Sequence, residues 1–387
     1  MLSELLGKRN PRIAIRFSPP KSSPGGSQNT IAEGLIPELC KLHEDIILFT
    51  ANAALFENLP HVKVCPTRDF NRFKNLRDVL KERFLDNITF ERLLRKHRCD
   101  VVYYPYTHEA LLFTLTIPQV VTVHDLIPVI YPNLFPLMSR QWKYYTLPCL
   151  RHVSRIVAVS KNTKHDLIRL AKVDSDRIHV VYNGFRSQKT DGYVRNEFGK
   201  YFLYVCSTQY PYKNLTKLLE AFAMIIKVWA LPHKLLIVGQ KVQRFADLVP
   251  MKIADLGLNG RVIVMENVPQ HQLSLLYRFA DLFVYPSLYE GFGIPVLEAM
   301  SCGVPVIASN AASIPEVCGD AAWYFNPVSK EDIARAMGDV LIDAVLREDL
   351  VSKGFKRTKL FSWKSAAEAI FDICESTMSE YAWRKRP

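Results

Sequence analysis

The sequence predicts an α/β protein built from two consecutive Rossmann-like domains that face a cleft. Three observations carry the expectation. The chain has 387 residues, a length that suits two domains rather than one. Short apolar runs of strand character alternate with helical patterns along most of it, which is the grammar of parallel sheets covered by helices. The alternation lapses once, in the polar stretch 185–200, and restarts at Tyr201. The predicted organisation is a first domain over 1–184, a linker over 185–200, a second domain over 201–364 and a terminal helix over 365–387.

In the first half, Arg12–Phe17 reads as a strand, followed by a loop rich in Pro, Ser and Gly and a helix over about 28–42. Gly25 and Gly26 before that helix allow a close backbone approach, although the pair lacks the third glycine of a dinucleotide fingerprint and is often just a turn. Strands follow at 45–50, 62–65, 101–104 and 119–123, the last ending at His124-Asp125. Ligands of open α/β sheets sit beyond the carboxyl ends of strands. A lone histidine is usually structural, but His124 stands where chemistry happens. The run 156–159 is a strand, Ser160 caps a helix over 162–171, and 178–182 closes the half.

In the second half, 201–206 is a strand and 207–214 a loop that carries Ser207 and Lys213. A helix over 215–228, a strand over 234–238 ending at Gly239, a strand over 262–265 and a helix over 273–279 come next. Asp281–Tyr285 is a short buried strand bounded by Pro286-Ser287. Gly291 and Gly293 then let the backbone come close to a ligand, and Pro295 suits the first turn of a helix that Gly303 stops. The N–H groups of Phe292, Gly293 and Ile294 at that helix mouth make a ready anion site. Glu290 lies just before the mouth and Glu298 one turn inside. Both could merely complement the positive helix end. Alternatively they hold hydroxyl groups flanking the anion, and sugar hydroxyls and a ribose are the natural candidates. A strand over 304–308 and helices from Lys330 onward finish the domain, and Trp363 begins a last amphipathic helix.

Composition narrows the classes. Net charge is +12, with eight cysteines that show no metal or redox spacing and read as free thiols of a reducing, cytoplasmic compartment. The first residues lack a signal-peptide core, and no run approaches the roughly 20 apolar residues of a membrane span. Charge is uneven: through Asn183 there are 26 Lys+Arg against 17 Asp+Glu. The stretch 68–98 holds ten of these basic residues with apolar residues at helical spacing. It reads as an amphipathic helix pair with a solvated basic face, or as a surface for anionic lipid head groups. No nucleic-acid module is recognisable, so nucleic acid is not an expected partner.

The run Glu290-Gly-Phe-Gly-Ile-Pro-Val-Leu-Glu298, continuing through Ala299-Met-Ser-Cys-Gly303, Ser309-Asn310, Pro315-Glu316 and Gly319-Asp320-Ala321-Ala322, closely resembles the donor-binding signature of family 4 retaining glycosyltransferases. The resemblance implies the GT-B fold, with the terminal helix crossing back to the first domain. The run Val121-Thr-Val-His-Asp-Leu-Ile-Pro128 is similar to a subgroup that includes many mannosyltransferases of surface polysaccharide and O-antigen assembly, in which the histidine reaches into the cleft near the sugar and diphosphate. Asp125 either orients it or caps the next segment. In Tyr210-Pro-Tyr-Lys-Asn-Leu215 the lysine matches the one that contacts the donor diphosphate. Glycine pairs like Gly25-Gly26 lie against the diphosphate and acceptor.

These resemblances imply retaining transfer of a hexosyl group from a nucleotide sugar, GDP-mannose by preference, to a glycan or lipid-linked oligosaccharide. Lys213 and the helix mouth would stabilise the leaving diphosphate, Glu290 grip sugar hydroxyls, Glu298 the ribose, and His124 the sugar or the developing charge. No metal or other cofactor is expected. Two residues depart from the pattern: Tyr212 replaces an arginine, and Ser207 a glycine. Tyrosine cannot serve as a guanidinium clamp. A GT-B-fold sugar-nucleotide epimerase and a non-catalytic partner subunit are the alternative readings.

Overall fold

The computed structural model describes residues 11–17, 27–59, 62–67, 76–107, 116–187 and 196–384. They form two compact units, one made of the described residues up to Gly184, apart from Ser27, together with those from Trp363 onward, the other chiefly of those over Phe185–Ser362.

The first unit is a parallel seven-stranded sheet in the order β3-β2-β1-β4-β5-β6-β7. Its strands are β1 Ile13–Arg16, β2 Ile46–Thr50, β3 Lys63–Pro66, β4 Val101–Tyr104, β5 Gln119–Val123, β6 Arg155–Ala158 and β7 Ile178–Val180. The central ones are buried along their length, as continuous apolar runs in a sheet covered on both faces must be. Helices α1 Ser27–Leu42 and α2 Leu76–Lys96 connect the early strands. After β5 come α3 Ile127–Ile130, α4 Pro136–Gln141, a five-residue π-type segment over Trp142–Thr146 and α5 Leu147–Leu150. Ser160 caps α6 Lys161–Asp166 by accepting from the Thr163 N–H at 3.0 Å. The core gathers Phe49, Phe90, Val102, Tyr104, Val121, Ile156 and Leu167.

The second unit is a parallel six-stranded sheet in the order β10-β9-β8-β11-β12-β13. Its strands are β8 Tyr201–Thr208, β9 Lys234–Gln240, β10 Val262–Met265, β11 Leu282–Tyr285, β12 Val306–Ser309 and β13 Trp323–Phe325. Counted from β8, this is the 3-2-1-4-5-6 order, whose switch point lies between the first and fourth strands, β8 and β11. The helices are α7 Leu215–Trp229, α8 Leu248–Asp255, α9 Gln270–Arg278, α10 Ile294–Ser301, α11 Ile314–Cys318, α12 Lys330–Ile342 and α13 Ala344–Thr358. Helix α10 ends as its glycine predicts. Gly303 takes a φ of +75°, and the N–H groups of Gly303 and Val304 return to the carbonyls of Met300 and Ala299.

The last helix, α14 Trp363–Arg384, packs on β4, β5 and β6 of the first unit. Trp363 lies so close to Gly34 that a Cβ there would stand 2.3 Å from the indole nitrogen. An Arg155–Glu380 ion pair and a Tyr381 hydroxyl that donates to the Thr116 carbonyl at 2.7 Å fasten its far end. All eight cysteines are free thiols, and no described helix is long and apolar enough to cross a membrane.

Candidate active site

Strand order explains which residues meet in the second unit. β8 and β11 are neighbours, so the segments leaving their carboxyl ends lie side by side. Lys213 follows β8 and Glu290 follows β11, and the Lys213 Nζ donates to both carboxylate oxygens of Glu290, at 2.7 and 2.9 Å. Both residues are buried, at 5% and 7% exposure. The hydroxyl of Tyr285 donates to Oε1 of the same carboxylate at 2.9 Å. Burial, together with the nearby Glu290 charge, raises the Tyr285 pKa well above the ordinary phenol value, so it stays a neutral donor. The ammonium has three protons, two of them taken by Glu290.

The surrounding backbone is held by groups that spacing did not single out. Asn214 sits in the left-handed region at φ +64° and donates its side-chain amide to the carbonyls of Pro286 (3.0 Å) and Pro327 (2.7 Å). This anchors the lysine-bearing turn to the loop after β11, as does the Leu288 N–H donated to the Tyr212 carbonyl at 2.8 Å. The hydroxyl of Ser313 is shared between the carbonyls of Glu290 and Phe292, at 2.8 and 3.0 Å. A hydroxyl offers one hydrogen, so this is one bifurcated latch over the glutamate loop.

Gly293 is the N-cap of α10 with a φ of +113°, a conformation that only glycine holds without strain. The N–H groups of Gly293 and Ile294 make no hydrogen bond among the described residues, which leaves them available at the helix mouth. Phe292 is buried and packs edge-on against Phe361 at 5.7 Å, so its ring is structural and only its backbone belongs to the mouth. Glu298 stands apart from Lys213. It is partly buried and accepts from the Tyr277 hydroxyl at 2.9 Å.

Two expected donor contacts have another explanation. Gly239 lies inside β9, and a Cβ on it would fall 2.5 Å from the Cys206 sulfur, so packing of β8 on β9 already requires glycine. Ser207 lies within β8 and not at the start of a loop, because the strand continues past an irregularity in its pairing with β9 between Val205 and Thr208. Gly25 and Gly26 lie outside the described residues. Tyr212, at the position of the missing arginine, is buried, with its ring 5.2 Å from the Lys213 ammonium. A buried ring at that distance offers its negative face to the ammonium.

In the first unit, His124 follows β5 and is partly buried. Its ring stacks on Tyr106 at 4.2 Å, and Nε2 lies 2.9 Å from the Pro105 carbonyl oxygen, which can only accept. Nε2 therefore carries the proton. Burial lowers the His124 pKa to about 4 against the opposing pull of that hydrogen bond, so the ring is neutral at ordinary pH and Nδ1 is a lone-pair acceptor. Asp125 caps the next turn, accepting from the Ile127 N–H at 2.9 Å. Among the described residues no group of three or more His, Cys, Asp or Glu is placed to hold a metal ion.

Two family models match the chain in tandem, Glycosyltransferase Family 4 over residues 24–189 and Glycosyl transferases group 1 over 188–357. The O-antigen chain mannosyltransferase RfbU of Salmonella typhimurium is 33% identical over 231 residues, 59% of this chain and 63% of its own length. The O-antigen chain mannosyltransferase B of Escherichia coli is 31% identical over 262 residues, 64% of this chain and 67% of its own length. The match to RfbU thus spans less than two thirds of that relative. Among solved structures, sucrose-phosphate synthase of Thermosynechococcus elongatus superposes with a TM-score of 0.74 over 96% of this chain and 100% of that one, at 18% identity. That likeness speaks for the fold alone.

Proposed function

The chain belongs to glycosyltransferase family 4, with the GT-B fold, and on that premise we propose that it moves a mannosyl group from GDP-mannose to a lipid-linked glycan, with retention at the anomeric carbon. The observation that carries this is the buried Lys213–Glu290 pair, with the unbonded N–H groups of Gly293 and Ile294 following Glu290 in the chain. It supports a reading in which one cation and a helix mouth hold a diphosphate and a carboxylate holds sugar hydroxyls. The third ammonium proton of Lys213 faces the diphosphate. Glu290, oriented by Lys213 and Tyr285, keeps lone pairs for hydroxyl groups, and Glu298 takes the ribose.

In the proposed reaction the C1–O bond to the diphosphate breaks and the acceptor oxygen bonds C1 from the same face. The acceptor proton passes to a departing phosphate oxygen, and no enzyme nucleophile intervenes. His124 receives a hydroxyl hydrogen at Nδ1 and serves as a neutral orienting group. The reaction as proposed needs no metal. The mannosyl preference and the polysaccharide setting are supported by the names of the relatives, and the guanine base by the resemblance of the His124 run to mannosyltransferases. The same reading puts the enzyme at the cytoplasmic face of the membrane. Docking through 68–98 is supported by charge count only, since 68–75 lie outside the described residues and Arg95 is engaged by Glu91.

The test is a thermal-shift panel of GDP, GDP-mannose, UDP and UDP-hexoses with and without added divalent metal, followed by anomeric analysis of the product. Stabilisation by GDP species, indifferent to metal, is expected. A response to UDP species alone replaces the donor, and an inverted product overturns the mechanism.

A further inference from the structure

The segment that follows His124 presents a surface that the reaction does not use. Over Pro136–Leu150 the chain runs through α4, the π-type turn and α5. Its inner side is anchored: Tyr145, Thr146, Leu147 and Leu150 are buried, and Trp142 packs against the first unit's core. Its outer side is apolar and bare. Leu137 is 65% exposed, Met138 47% and Tyr144 69%. Single exposed apolar residues are ordinary, whereas three large ones within eight positions of one helical segment form a patch.

The charges of this patch have one sign. Arg140 and Lys143 are exposed among the three apolar residues, and neither forms an ion pair among the described residues. No Asp or Glu occurs between Asp125 and Asp166, the longest such gap in the chain. Two other exposed apolar pairs differ: Ile342 and Val345 flank Asp343, and Leu248 and Met251 lie between Asp247 and Asp255. An apolar strip with unpaired cations and no carboxylate complements a layer that is hydrocarbon beneath and anionic above, with the tyrosine at the boundary. A protein partner of ordinary mixed charge makes no such demand.

We propose that Pro136–Tyr144 is a membrane-docking face, which inserts Leu137, Met138 and Tyr144 among the lipids of an anionic bilayer while Arg140 and Lys143 meet the head groups. The proposal draws on the reading of a lipid-linked acceptor only for its purpose, since lipid binding is measured without donor or acceptor. It differs from docking through 68–98, because it rests on apolar and charged residues that are each exposed within one short segment.

The experiment is flotation of the purified full chain with vesicles of equal parts phosphatidylglycerol and phosphatidylethanolamine, against phosphatidylcholine alone. Binding to the anionic vesicles that weakens with salt is expected. Arg140→Glu with Lys143→Glu should reduce it at least tenfold, as about fivefold per surface cation implies. Leu137→Ser with Met138→Ser and Tyr144→Ser should reduce it as far. Unchanged melting temperature and an unchanged thermal shift by GDP show that each variant is folded and that its donor unit is unaffected. Failure of the wild type to float overturns the proposal. So does wild-type flotation of both variants, or its loss only on Arg92→Glu with Arg98→Glu in and after α2. A dimer that dissociates in the serine variant while flotation persists assigns the face to a second copy and likewise overturns it. Loss of the GDP response in the wild type, with flotation intact, counts against the enzymatic reading alone.

Discussion

At the residue scale the central fact is mutual dependence. Lys213 and Glu290 are each buried, and each is the other's counter-charge. Removing one partner leaves an uncompensated buried charge, which costs about 3–5 kcal/mol, whereas removing both is far milder. Lys213→Met and Glu290→Gln are therefore each expected to lose turnover and stability together. The double variant should recover most of the stability and none of the turnover. Urea unfolding beside a donor-consumption assay checks this, and additive stability losses would refute it. Gly293→Ala is simpler: its φ of +113° makes any side chain strained, at about 1–3 kcal/mol. The helix mouth should shift, seen as a raised donor KM. Both glutamates, the lysine and the glycine were legible as members of a motif. Their pairing was not, because 77 residues separate Lys213 from Glu290 and only strand order brings them together.

At the element scale the loops after β8 and β11 act as one piece because Asn214 and the Leu288 N–H stitch them, while Ser313 latches the second loop from the segment after β12. Asn214→Ala forfeits two side-chain hydrogen bonds, leaves two buried carbonyls underserved and puts a less tolerant residue in the left-handed region. A loss of about 2–4 kcal/mol with weaker donor binding is expected, and calorimetry with GDP measures both. Every strand but the short β13 was readable from apolar runs and turn residues, within a residue or two of its ends, whereas α9 begins at Gln270, ahead of the predicted Leu273. The segment over 136–150 was not, because its outward residues are as apolar as its inward ones and no helical period shows. Ser207 was placed in a loop because the strand's apolar run ends at Cys206. The pairing of Thr208 with Gln240 beyond the irregularity is a tertiary event that no local pattern encodes.

At the scale of the whole molecule, pH acts through partly or fully buried imidazoles. His97, His124, His179 and His233 are all held below the usual histidine value, chiefly by burial, with neighbouring lysines and arginines adding to it at His97 and His179. A folded-state pKa below the unfolded one means that the unfolded chain takes up protons first. Their stabilisation is complete above about pH 6.5 and drains away as pH falls, for His124 down to about 4. Melting temperature should fall steeply across that window. His124→Asn should make the fall shallower, whatever it does to stability at neutrality; an unchanged slope would assign the acid limb to the other three.

The return of α14 to the first unit has a consequence for biosynthesis. Phe185–Ser362 is a continuous stretch with its own sheet, and nothing outside it is needed to complete that sheet. The first unit is split, because the helix on β4, β5 and β6 leaves the ribosome some two hundred residues after those strands. The half made first is thus the half finished last. Through that interval the sheet face that α14 covers stays bare, an invitation to chaperones. A stop codon placed after Ser362 should yield a nascent chain whose later unit is folded and whose earlier unit is still open to proteases.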